Sequence, residues 1–158
     1  MATIEERLAV LEAKEEIRDL FNRYGFAADT GDAGAWSEVW AKDAVYERAD
    51  ASISGREAFF RSIDDENGAH KRDIEGRGSL HTTGPLMIEV AGDRAWAEGP
   101  ALVWIKNQGG YSVYALSYNH WDLQKKDGRW EILKRIGRPV APKNAQLVYQ
   151  SWNRRGVQ

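Results

Sequence analysis

The chain contains no cysteine. That one absence removes disulfide frameworks, thiolate metal sites, iron–sulfur clusters and cysteine nucleophiles together. Proline is scarce at 4 residues and histidine scarcer at 3. No apolar run reaches the ~18 residues that a membrane-spanning helix requires. Neither sign of charge is in surplus, since 22 Lys and Arg face 24 Asp and Glu for a formal net charge of −2. Without a basic excess there is no electrostatic footprint for a phosphate backbone, so neither a nucleic-acid nor a membrane partner is expected. A glycine-rich phosphate loop, HExxH, GxSxG and paired-histidine ligand spacings are missing as well. The expectation is therefore no metal, and acid–base chemistry by side chains alone.

What is present is an ordinary globular composition, 42% hydrophobic and 29% charged over 158 residues, which suits one domain spanning 1–158. The opening MATIEERLAVLEAKEE is acidic and helical where a signal peptide is basic and then apolar, so a cytoplasmic protein is expected. Aromatics are abundant, with 7 Trp, 6 Tyr and 4 Phe. They fill cores and also line pockets for flat, greasy ligands.

Residues 3–30 read as a helix opened by a Thr3–Glu6 capping box. Its apolar stripe skips six residues after Leu11, which predicts a kink or junction near 13–15. A second helix is expected over 33–41, a strand over 44–48, a short strand at Ile53 and a third helix over 55–63. The polar, Gly-punctuated stretch 64–78 reads as an exposed loop. Beyond it, 80–90, 94–106, 111–124 and 129–140 form an antiparallel meander joined by tight turns. Helices first and strands afterwards make an α+β domain. The closing segment 141–158, with Leu147, Val148, Tyr149 and Trp152, is expected to pack on its own domain or on a neighbouring subunit.

Few residues can carry chemistry. His70 falls in the polar loop and reads as solvated. His120 lies mid-strand, on the same side as Tyr118 and Asp122, where it either faces a pocket or is held by a neighbour. His81 opens a strand just before Gly84-Pro85, a bend signal of the kind that re-aims side chains. Asp29 closes the long helix, where the macrodipole disfavours negative charge, so it either caps the turn or needs a cationic partner. Tyr24 sits about 140° round the helix from Asp29. Strand alternation places Arg135 with Leu133, opposite Ile132, Lys134 and Ile136.

With these residues placed, the chain resembles the SnoaL-like group of the nuclear transport factor 2-like superfamily. Its nearest likeness is to the branch holding scytalone dehydratase, bile-acid dehydratase and hexachlorocyclohexane dehydrochlorinase. The resemblance rests on Ile17-Arg18-Asp19-Leu20-Phe21-Asn22-Arg23-Tyr24 through Asp29, Gly31-Asp32 and Trp36, and on Trp40-Ala41-Lys42-Asp43-Ala44-Val45-Tyr46. It implies a cone, a curved antiparallel sheet wrapped round the long helix as in cystatin-like folds. It also implies a catalytic dyad at Asp29 and His81, assisted by Tyr24 and Arg135. The expected pocket walls are Trp40, Tyr46, Trp104, Tyr118 and His120. No counterpart of the second acid or the second histidine of some dehydratases is evident. The function so implied is a lyase, needing no cofactor, on a hydrophobic aromatic or polycyclic small molecule, with an isomerase, a polyketide cyclase-like enzyme or a binding domain as alternatives. A homotrimer or homodimer is expected on the same ground.

Overall fold

The structure, a computed structural model, describes residues 2–149; Trp152 and the rest of the closing segment from 150 onward lie outside the described residues. Helix α1 spans Ile4–Thr30. Its capping box forms as expected, the Thr3 amide donating to Glu6 Oε2 at 2.8 Å and the Glu6 amide to Thr3 Oγ1 at 3.1 Å. The helix runs without the expected break near 13–15. Ala13 fills the skipped position and is buried, so the inward stripe continues through Ile17, Leu20 and Phe21 to Ala27 and Ala28. Before Ala13 the apolar residues Ile4, Leu8 and Leu11 are exposed.

Gly31 ends α1 with φ of 67°, a left-handed position that glycine adopts without strain. Asp32 then caps α2 (Ala33–Glu38), its Oδ1 accepting from the Ala35 amide at 2.9 Å. This helix is shorter than expected, because Trp40 already pairs with Ile132 as the first residue of β1 (Trp40–Glu47). After β2 (Ser52–Ser54) comes α3 (Arg56–Asp64). The stretch read as a loop contains a π-helical turn over His70–Ile74 and a 3₁₀ turn over Glu75–Arg77. Buried Ile74 anchors it.

The sheet continues with β3 (Ser79–Thr83), β4 (Met87–Ala91), β5 (Arg94–Asn107), β6 (Gly110–Lys126) and β7 (Arg129–Pro139), in the order β2-β1-β7-β6-β5-β3 with β4 also on β5. The expected strand 80–90 is split in two. Gly84-Pro85-Leu86 interrupts it, since proline has no amide for the ladder, and both halves pair with β5. The sheet is also not wholly antiparallel. β1 runs parallel to β7, with nearly the whole intervening chain serving as the crossover.

Besides a register shift between Trp40 and Val45 on β1, two bulges in the antiparallel ladders decide which strand residues face inward. Val103 pairs with Ala115 but Trp104 with Val113, which leaves Tyr114 as an extra residue on β6. Asp122 pairs with Lys134 but Leu123 with Ile132, which leaves Leu133 extra on β7. The second bulge overturns the alternation read from sequence. Trp121 and Leu123 share a face, so their partners Arg135 and Ile132 share it too, although they are three residues apart.

The resulting α+β domain is a curved, open sheet whose inner face holds α1, α2 and α3. Trp40 and Phe59 stack at 3.9 Å between ring centroids, and Phe21 meets Trp121 at 4.8 Å. On the other face lies α4 (Asn144–Val148), whose Val148 is fully buried in contact with β6 and β7, so this part of the closing segment packs on its own sheet. Among the described residues no helix is long and apolar enough to cross a membrane. Phe59 is itself fully buried beneath Trp40. Truncation by Phe59→Ala is expected to lower unfolding free energy by about 3–5 kcal/mol, read from urea melts followed by tryptophan fluorescence.

Candidate active site

Asp29 sits in the last turn of α1, which contains no basic residue to offset its charge. Its compensation comes from β3. Oδ1 accepts from the His81 ring at Nδ1 (2.6 Å), from the Ser79 hydroxyl (2.8 Å) and from the His81 amide (2.9 Å), which also reaches Oδ2 at 2.9 Å. Burial pushes the Asp29 carboxyl up, but the His81 ring, the His81 amide, the Ser79 hydroxyl and imidazolium charge outweigh it and hold the group below the ordinary range. An ionised Asp29 keeps a proton on Nδ1, so Nε2 is the nitrogen left for other work; it makes no hydrogen bond among the described residues.

The helix comes this close to the strand because of Gly25. A Cβ there would lie 2.8 Å from the His81 carbonyl oxygen, nearer than side-chain carbons are found. Only glycine lets the α1 and β3 backbones approach enough for an aspartate to span the gap.

His81 lines an open-mouthed cavity of about 790 Å³ between α1, α2 and the inner face of the sheet. Tyr24 and Arg135 line it too, as do Tyr46, Trp36 and Trp121. Asp29 does not line it but stands behind His81. The angular separation on α1 fits this arrangement, because Tyr24 lines the chamber directly while Asp29 meets it only through the ring it holds. The Arg135 guanidinium donates through Nη1 to the Tyr24 oxygen and through Nε to Asn119 Oδ1 at 2.8 Å. Tyr24 is raised to about 12, mainly by burial, with the neighbouring Tyr46 adding to it and Arg135 opposing. It therefore keeps its proton, and with its oxygen accepting from Arg135 that proton is free to be donated.

The match to a family model for the SnoaL-like domain covers residues 9–136. The chain belongs to the SnoaL-like domain family. A nuclear transport factor 2-like protein of cystatin-like fold from Novosphingobium aromaticivorans is 32% identical, with 93% of this chain and 97% of that chain covered at a TM-score of 0.82. A protein of unknown function from Mycobacterium tuberculosis is 26% identical, with 92% and 81% covered at 0.76. A scytalone dehydratase-like protein from Novosphingobium aromaticivorans, 16% identical with 83% and 86% covered at 0.67, shares the fold. No curated protein matches the chain.

In this SnoaL-like domain four of the five expected wall residues lie elsewhere. Trp40 is fully buried behind Tyr24 and Tyr46, stacked on Phe59 of α3, because it belongs to β1 and not to the helix that was expected to carry it. Trp104 falls just past the bulge at Tyr114 and is not part of the cavity wall; Tyr114 is. Tyr118 and His120 point to the opposite face, as alternation against Asn119 and Trp121 requires. There Tyr118 meets Tyr149 of the closing segment at 5.5 Å. His120 is held between Glu98 Oε1 at Nδ1 (2.8 Å) and Asp122 Oδ1 at Nε2 (3.1 Å). Only Tyr46 takes its expected place, 4.3 Å from ring centroid to the Arg135 guanidinium carbon. Among the described residues no group of three or more His, Asp or Glu is arranged to hold a metal ion.

Two residues went unread and a third was misplaced. Ser79 and Asn119, polar residues on strands, carry no distinguishing signal in sequence. His70 is not solvated: the π-helical turn buries it in part, its Nε2 bonds the Ala28 carbonyl at 2.8 Å, and its ring lies 6.4 Å from that of His81. A second histidine thus grips the helix end beside Asp29. Burial chiefly, and the charge of His81 in addition, push the His70 pKa down against the pull of the Ala28 carbonyl.

With its folded pKa depressed, the stability that His70 contributes is present above the unfolded value of about 6.5 and is lost as pH falls through the folded one. His70→Gln keeps an amide N–H for Ala28 but cannot titrate. Its melting temperature is expected to fall less than that of the parent between pH 7 and 5, whereas His70→Ala loses stability at every pH.

Proposed function

We propose that this SnoaL-like domain is a cofactor-independent lyase that removes a proton from a hydrophobic aromatic small molecule with His81 as the base. The observation that carries the reading is the 2.6 Å contact of His81 Nδ1 with Asp29, which leaves Nε2 unengaged on a residue of the cavity wall. The family includes dehydratases, cyclases and isomerases.

In the proposed reaction Nε2 takes a proton from the carbon beside a substrate carbonyl. The electron pair moves onto the carbonyl oxygen, where the Tyr24 hydroxyl, itself sharpened as a donor by the bond from Arg135, meets the growing negative charge. The pair then returns to form a carbon–carbon double bond, and the β-hydroxyl departs as water with the proton that His81 carries. Asp29 remains ionised throughout and steadies the imidazolium. The phenyl and indole faces of Tyr46, Trp36 and Trp121 suit an aromatic skeleton.

General-base catalysis of this kind contributes about 10²–10⁴-fold. His81→Ala and Asp29→Asn are each expected to lose turnover by that order while retaining the parent's circular dichroism and cooperative melt. The substrate would be found by incubating aromatic alcohols and β-hydroxy ketones with the protein and following mass. Loss of one water identifies elimination, and an altered compound of unchanged mass identifies isomerisation by the same base. Full turnover in both variants would overturn the assignment of the dyad.

A further inference from the structure

Three arginines border the cavity, and two of them are answered by acids. Arg48 pairs with Asp50 at 3.3 Å, and Arg138 pairs with Glu47 while also donating to the Glu47 and Gly137 carbonyls. Arg135 is different. It is 7% exposed, yet no carboxylate of the described residues pairs with it. Its two hydrogen bonds go to neutral oxygens, those of Asn119 and Tyr24, and Nη2 donates to none of the described residues. Asn119 is fixed in the accepting orientation because its amide nitrogen donates to Ser117, to the carbonyl at 3.1 Å and to the hydroxyl at 2.9 Å.

The rest of the surroundings are ring faces, with Tyr46, Trp121 and Tyr24 centroids at 4.3, 5.6 and 5.7 Å from the guanidinium carbon. Aromatic faces attract a cation through their quadrupoles but bring no net charge. A guanidinium this deep, without a counter-ion, is costly to keep unless something charged arrives.

We propose that the ligand of this cavity carries a fixed negative charge, a carboxylate on an aromatic skeleton, seated on Arg135 Nη2. The apolar remainder of the cavity wall borders the skeleton, and the carboxylate supplies the counter-charge that none of the described residues provides. The Tyr24 hydroxyl remains for the carbonyl oxygen, so anchoring and chemistry use different donors. This rests on reading the cone interior as the substrate site, but not on the dyad's chemistry.

The test is equilibrium binding of naphthoate and of its methyl ester to the full chain, followed by tryptophan quenching and calorimetry. The parent is expected to prefer the acid by about tenfold or more, the margin of a charge-assisted hydrogen bond. Arg135→Met should bring the two ligands within about twofold. So should Asn119→Asp, which leaves Arg135 in place and gives it an internal counter-ion. The second variant keeps the test decisive if the first does not fold. Equal binding of acid and ester by the parent overturns the proposal. So does an absence of naphthoate binding up to its solubility, or a preference that survives Arg135→Met and vanishes in Arg138→Met. His81→Ala should retain the preference. Should it retain turnover too, the lyase reading fails while the anion site stands.

Discussion

One carboxylate ties the molecule's two halves together at the place where its chemistry is proposed to occur. Asp29 stands at the end of α1, where the helix presents carbonyl oxygens and partial negative charge, and it has no basic neighbour along the helix. Alone, it would weaken that helix. It is instead satisfied by the Ser79 hydroxyl, the His81 amide and the His81 ring, all from β3. The same bonds dock the strand to the helix, orient the imidazole and decide which of its nitrogens faces the chamber. The structural role and the proposed chemical one rest on the same hydrogen bonds.

Around that contact the chamber is assembled from elements far apart in sequence. α1 supplies Tyr24, β1 supplies Tyr46, β6 supplies Trp121 and β7 supplies Arg135. The indole nitrogens of Trp36 and Trp121 are sealed from the cavity, so those rings present carbon. The polar atoms that matter are few and are held in pairs: His81 by Asp29, Tyr24 by Arg135, Arg135 by Asn119. Each of these groups is fixed by a partner behind it, which is how a mostly apolar wall can present defined proton positions.

The elements with a strong local signature were legible from sequence. The capping box, the apolar stripe of α1 and the turn-punctuated strands each follow from short-range rules. Asp29 and His81 stood out because a carboxylate at a helix end and a histidine before a Gly-Pro bend are both unusual. The walls were harder. Residue type says that Trp40, Trp104 and Tyr118 are buried or lie at an interface, but not on which side of the sheet. The bulges at Tyr114 and Leu133 defeat simple alternation, because one extra residue reverses the apparent face of everything counted across it. The π-helical turn that brings His70 to Ala28 leaves only Ile74 as a hydrophobic trace in an otherwise polar stretch.

Gly25 sets a limit on all of this. With the α1 and β3 backbones already at contact distance, the seam between them has no slack to take up a change of length. A glutamate in place of the aspartate would be one methylene too long for the gap that these backbones fix. The choice between the two acids at this position is therefore made by interlocking backbones, a tolerance set several residues away from the group that must obey it.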